Sequence, residues 1–204
     1  MSLCIISDNC WGAGVYQSLK LEYNTPFVGV LIHTPDYVRL LENFIEYMAL
    51  PLQETNFDKS KYRHIPHPLA NYTITGLLGD IEIMFPHYSS FSMALDKWNR
   101  RKSRMTSDLN QIVVKIGPIT VEKNIHVNYG NNLRYYERFY AIPHFKKISF
   151  TEKSYDFPNN YVLKPIHQYD AITGGLEWAQ YQPDLWAGGE IGIHDGFRRH
   201  CFIA

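Results

Sequence analysis

Two short stretches hold the side chains best suited to group transfer. In Ser7-Asp-Asn-Cys-Trp-Gly12, a hydroxyl and a thiol, Ser7 and Cys10, stand close together as candidate nucleophiles, with Asp8 beside them as a candidate catalytic carboxylate. Asn9, Trp11 and Gly12 complete a loop that could line a substrate site. A thiol or hydroxyl attacks efficiently only when a base takes its proton, and His87, in Pro86-His-Tyr-Ser-Ser90, is the candidate base. Downstream of it Arg100, Arg101 and Arg104 could hold a phosphate or carboxylate through forked hydrogen bonds, with Tyr88 and Trp98 as aromatic contact surfaces. Two reactions fit these residues. One is transfer to a sugar or from a nucleotide-sugar, with His87 as general base for a sugar hydroxyl. The other is acyl transfer through Cys10 or Ser7, with backbone N–H groups near Gly12 forming an oxyanion hole.

For any of this to work, strands and helices must bring the two stretches to one edge. Ile81, Ile83 and Phe85 alternate with Glu82 and Met84, the period of a strand, and Pro86 closes it because it has no N–H for a ladder. Ser89 or Ser90 caps the next helix, where Phe91, Ala94, Leu95, Trp98 and Met105 share a side and Lys97 to Arg104 load the second half with positive charge. Leu3 to Ile6 reads as a buried first strand with a helix starting behind the loop, near Val15 to Leu19. If this strand and the one at Asp80 were parallel neighbours, His87 and the Ser7 to Gly12 loop would emerge together, where open α/β sheets place ligands.

The remaining chain supplies the rest of such a fold. Pro26 to Ile32 is β-branched and apolar throughout and reads as a strand buried on both faces. Thr34-Pro-Asp36 opens a helix over 35–49 that Pro51 stops. Residues 53–71 turn polar; His64 and His67 could suit a metal on a helix, but Pro66 and Pro68 argue for solvated loop histidines, and no metal site is expected. Tyr72 to Leu78 and Ile81 to Phe85 flank Gly79-Asp80 as a hairpin. Gln111 to Ile116, Lys147 to Thr151 and Tyr161 to Lys164 read as strands, Leu133 to Tyr140 as a helix, and Ile119 to His126 as a short helix or strand. The expectation is an α/β fold, with a mixed, mostly parallel sheet flanked by helices in three layers and one β-hairpin. Residues 1–168 form a single domain in this reading. Residues 169–204, rich in Gly and Trp, form an extension that is docked, partly disordered or a lid over the sheet edge.

Composition narrows the classes. Twenty basic residues against twenty acidic ones give 204 residues a formal net charge of zero, which argues against a nucleic-acid module. No apolar run reaches a membrane span and the N-terminus lacks the pattern of a secretory signal, so the expectation is a cytoplasmic protein, with peripheral membrane association open. Three cysteines, Cys4, Cys10 and Cys201, form no C-x-x-C pair and indicate neither a disulfide framework nor structural zinc. No motif identifies a cofactor.

Four ordered motifs resemble a known family. Ile6-Ser-Asp-Asn-Cys-Trp-Gly12, Thr34-Pro-Asp-Tyr37, Asp80-Ile-Glu-Ile83 with His87-Tyr88, and Lys97-Trp-Asn-Arg-Arg101 with Arg104 are similar to the bacterial domain of unknown function 1919, often labelled exopolysaccharide biosynthesis protein. The resemblance spans roughly residues 3 to 165. It implies an α/β fold and a process, surface-polysaccharide assembly, with a sugar, nucleotide-sugar or glycan as partner. Three readings stay open: a glycosyl, sugar-phosphate or acyl transferase; a domain that only binds a glycan or an assembly partner through its tyrosines; and a fold in which Cys10 and Trp11 are packed loop residues, Trp98 is core and the arginines are a solvated face laced by Asp96.

Overall fold

A computed structural model describes residues 3–63, 74–117, 132–151 and 154–162. Four strands, β1 (Cys4–Ser7), β5 (Ile112–Ile116), β6 (Lys146–Thr151) and β7 (Asn160–Val162), form a parallel sheet in the order β1-β5-β6-β7. A separate antiparallel sheet contains β2 (Leu52–Thr55), β3 (Ile74–Leu78) and β4 (Ile81–Phe85) in the order β2-β3-β4. The helices are α1 (Trp11–Ser18), α2 (Thr34–Glu42), α3 (Phe44–Ala49), α4 (Phe91–Lys102) and α5 (Asn132–Ala141).

The period-two rule explains the three layers. Ile5, Val113, Ile148 and Phe150 share one face of the parallel sheet with Trp11, Val15 and Tyr16 of α1. Cys4, Ile6, Ile112, Val114 and Ile116 point the other way, into a larger core with α2, α4, α5 and the inner face of the antiparallel sheet. Trp98 lies at the centre of that core, edge-on to Phe27 at 5.2 Å and to Phe85 at 6.3 Å. Replacing it by alanine would cost roughly 3–5 kcal/mol.

The α/β class, the parallel sheet and the hairpin at Gly79-Asp80 are as the sequence predicts, whereas several details differ. The hairpin belongs to its own sheet, extended by β2, a strand inside the stretch read as polar excursion. The helix over 35–49 is two helices, because Asn43 leaves the helical region at φ −124°, ψ 41° and its side chain donates to Arg39 O at 3.4 Å. Residues 26–32, with Leu31 only partly buried, lie in the core but make no ladder strand. Gly29 sits at φ +70°, which breaks the extended run, and among the described residues pairing is limited to one bridge between Leu31 and Met84. This segment is a seam: Leu31 and Met84 exchange both backbone hydrogen bonds, at 2.8 and 2.9 Å, while Ile32 N–H donates to Asp8 O at 2.8 Å. It therefore stitches the antiparallel sheet to the loop after β1. Beneath it, fully buried Asp36 accepts from Arg39 at 2.9 Å, Lys61 at 2.7 Å and the Glu82 amide at 2.8 Å.

His64, His67, all of 119–131 and the extension over 169–204 lie outside the described residues. No helix among the described residues is long and apolar enough to cross a membrane.

Candidate functional site

The loop after β1 is built on a buried ion pair. Lys115 of β5, fully buried, donates to Asp8 Oδ1 at 3.0 Å and to Gly117 O at 2.5 Å. The other Asp8 oxygen accepts from Gly117 N–H at 3.0 Å. Gly117 has φ +119°, and a Cβ there would lie 2.1 Å from Phe150 O, so only glycine lets the chain pass β6 this closely. Burial raises the Asp8 carboxyl and lowers the Lys115 ammonium from their ordinary values, while their mutual attraction opposes both shifts.

Asn9 continues the tie. Its amide donates to Gly117 O at 2.9 Å, and its Oδ1 accepts from Ser7 Oγ and from Trp11 N–H, each at 3.2 Å. These bonds order the chain up to Cys10, which precedes the first residue of α1 and accepts at its carbonyl from Gly14 N–H at 3.3 Å. The amides of Gly12 and Ala13, in the first turn, have no intrahelical carbonyl to meet.

The second half comes from the other sheet. After β4 a tight turn, closed by Tyr88 N–H to Phe85 O at 3.3 Å, presents His87 at the surface before Ser90 caps α4 by accepting from Met93 N–H at 3.2 Å. His87 Nε2 lies 3.0 Å from Cys10 Sγ. With the ring proton on Nδ1, Nε2 is the acceptor for the thiol. Partial desolvation lowers the His87 pKa below its usual 6.5, so the ring is predominantly neutral at pH 7 and can take a proton. Cys4, by contrast, is buried in β1 and its thiol is pushed up to about 12.

Thus the structure brings Cys10 and His87 together, though not as strand neighbours: β1 pairs with β5, and β4 lies in the other sheet. The remaining expected site residues are placed otherwise. Ser7 and Asp8 are buried, the first bonded to Asn9 and the second to Lys115, and they tie the loop rather than face a substrate. Trp11 packs edge-on to Phe150 at 5.7 Å and Trp98 is core, so neither is a stacking platform. Gly12 lets α1 rest on β1, since a Cβ there would meet Ser7 Cβ at 3.2 Å and Ile5 Cγ2 at 3.3 Å. Arg100 is exposed and pairs with Asp96 at 3.7 Å; Arg104 pairs with Glu22 and donates to Tyr23 O at 3.3 Å. Arg101 is buried and donates to the Tyr88 hydroxyl at 2.7 Å.

Lys115 and the seam at Val28-Gly29 are the parts that sequence reasoning missed. A single lysine inside the apolar run Ile-Val-Val-Lys-Ile, in a chain with an acidic residue directly after another buried strand, was the available signal for the pair. Nothing comparable marked the seam. Among the described residues no three His, Cys, Asp or Glu side chains cluster as a metal site needs.

A family model described as Domain of unknown function (DUF1919) matches residues 1–182. An "Uncharacterized protein" of Haemophilus influenzae (strain ATCC 51907 / DSM 11121 / KW20 / Rd) is 30% identical over 178 residues, covering 87% of this chain and 75% of its own length.

Proposed function

The chain belongs to the family described as Domain of unknown function (DUF1919), and we propose that it is a cysteine-dependent acyltransferase acting on a sugar hydroxyl in bacterial surface-glycan assembly. The observation that carries the reading is the 3.0 Å approach of His87 Nε2 to Cys10 Sγ. His87 takes the thiol proton as Sγ attacks the acyl carbonyl of the donor, and the tetrahedral oxyanion lies toward the first-turn amides of α1. The donor's leaving group departs with the proton from His87, which leaves an acyl thioester on Cys10. A sugar hydroxyl then gives its proton to His87 and attacks the thioester. The ester forms, and the thiolate leaves and recovers the proton.

The acceptor class rests on the resemblance to exopolysaccharide proteins, not on a geometric feature. Transfer from a nucleotide-sugar draws less support, because Asp96 and Glu22 already engage two of the three arginines assigned to its phosphates. The test is intact-mass analysis after incubation with an acyl-thioester donor. The expected result is one acyl adduct, mapped to Cys10, absent in Cys10→Ser and released by a sugar acceptor. An unmodified protein across acyl donors, or full activity in Cys10→Ser, would overturn the proposal.

A further inference from the structure

We propose that Tyr88 and Arg101 are positioning residues that hold the His87 imidazole against the Cys10 thiol, an inference that rests on the cysteine-dependent reading above. The His87 ring makes no hydrogen bond to a described residue except at Cys10, and it stands at the surface, so nothing bonded to Nδ1 fixes its orientation. In other catalytic dyads a third group does this. Here the restraint comes through the next residue. The Tyr88 hydroxyl donates to Val28 O at 2.7 Å and accepts from Arg101 Nη1 at 2.7 Å, and the same Nη1 lies 3.4 Å from Val28 O. One hydroxyl thus joins the His87 turn, the seam and α4.

The contacts around this junction leave the turn little room. Lys97 Nζ covers the Tyr88 ring at 5.2 Å, and Phe85 meets its edge at 5.4 Å. Gly29 abuts the turn so closely that a Cβ there would lie 3.4 Å from Tyr88 Cε2 and 3.7 Å from both Cβ and Cδ2 of His87. Burial keeps the Tyr88 phenol protonated, as a donor to Val28 O must be. The Arg101 guanidinium packs over the Tyr23 ring at 4.9 Å, and no described carboxylate pairs with it. A buried cation met only by neutral oxygens and a ring is a poor device for stability, where an apolar side chain would serve as well. As a rigid donor that aims the Tyr88 hydroxyl, it has a use. Arg101, which the sequence offers as a phosphate ligand, therefore acts on the base.

The test is a double-mutant cycle read by iodoacetamide alkylation of Cys10, followed peptide by peptide with Cys4 as internal control, between pH 5 and 9. Each alkylation forms an S–C bond, expels iodide and passes the thiol proton to His87. Tyr88→Phe keeps the ring and removes both hydrogen bonds. It is expected to slow Cys10 about tenfold at pH 7, as a misplaced base does, and to move the pH profile toward that of His87→Ala. In the His87→Ala background it is expected to slow Cys10 no further. Should Tyr88→Phe fail to fold, Arg101→Gln is read in the same cycle. A wild-type rate in the folded Tyr88 or Arg101 variant, or further slowing on top of His87→Ala, overturns the positioning role alone. A wild-type rate in His87→Ala itself overturns the dyad and this inference with it.

Discussion

Cys10 is presented by a loop whose polar supports, Ser7, Asp8, Asn9 and Lys115, are all buried, whereas His87 rides on an exposed turn steadied by the hydroxyl of its neighbour. The first is anchored in the parallel sheet by a buried charge pair. The second hangs from the edge of an antiparallel sheet and reaches its partner across a seam with one bridge. In the proposed reaction the contrast separates two requirements of a nucleophile and its base. The thiol must start from a fixed point at the sheet edge, and the imidazole must be placed yet remain open to solvent and substrate for proton exchange. Stability and reactivity should accordingly respond to different substitutions.

The largest expected effect tests the buried half. Asp8→Ala strands the Lys115 charge and should cost about 3–5 kcal/mol of unfolding free energy in urea titration, with much of it regained in Asp8→Ala/Lys115→Met. If the single change costs under about 1 kcal/mol, the two halves are not built differently. Next comes the seam. Gly29→Ala places a side chain at φ +70°, a strain of about 1–2 kcal/mol, and presses on His87 and Tyr88. Its Cys10 alkylation should fall more than its stability does, the reverse of Asp8→Ala.

Third is the effect of pH. Because burial lowers the His87 pKa, the midpoint of ring protonation falls below its usual 6.5. Cys10 reactivity that depends on the base should fall with a midpoint below pH 6.5, and a drop centred above 6.5 would contradict it. The smallest effect lies on the solvated face. Arg100→Ala removes the i,i+4 pair with Asp96 and should cost only about 0.2–0.5 kcal/mol by thermal unfolding, with Cys10 alkylation unchanged.

How much of this the sequence revealed follows from which forces are local. The strand Ile81–Phe85, its turn, the Ser90 cap and α4 were legible because alternation, a proline stop and a capping serine act within a few residues. Cys10 and His87 could be named together from residue type. The path that joins them could not, since Pro26 to Ile32 has the composition of a strand and one glycine with φ +70° turns it into a seam. Three arginines at helical spacing looked alike in sequence. Their fates diverge because Asp96 lies four residues from Arg100, while Glu22 and Tyr88 reach Arg104 and Arg101 only through the tertiary fold.

The Asp8–Lys115 pair spans 107 residues, and among the described residues β1 has no partner in its sheet except β5. During synthesis the first strand must therefore wait, unpaired, until Ile112–Ile116 has left the ribosome. The antiparallel sheet, complete by Phe85, is made while the Cys10 loop still lacks its lysine. The ribosome thus releases His87 before the anchor of the Cys10 loop, which is complete only once Gly117 has been added. A fragment ending before β5 would carry the thiol and the histidine without the structure that joins them, and would leave the edge of β1 open to chaperones or to other chains.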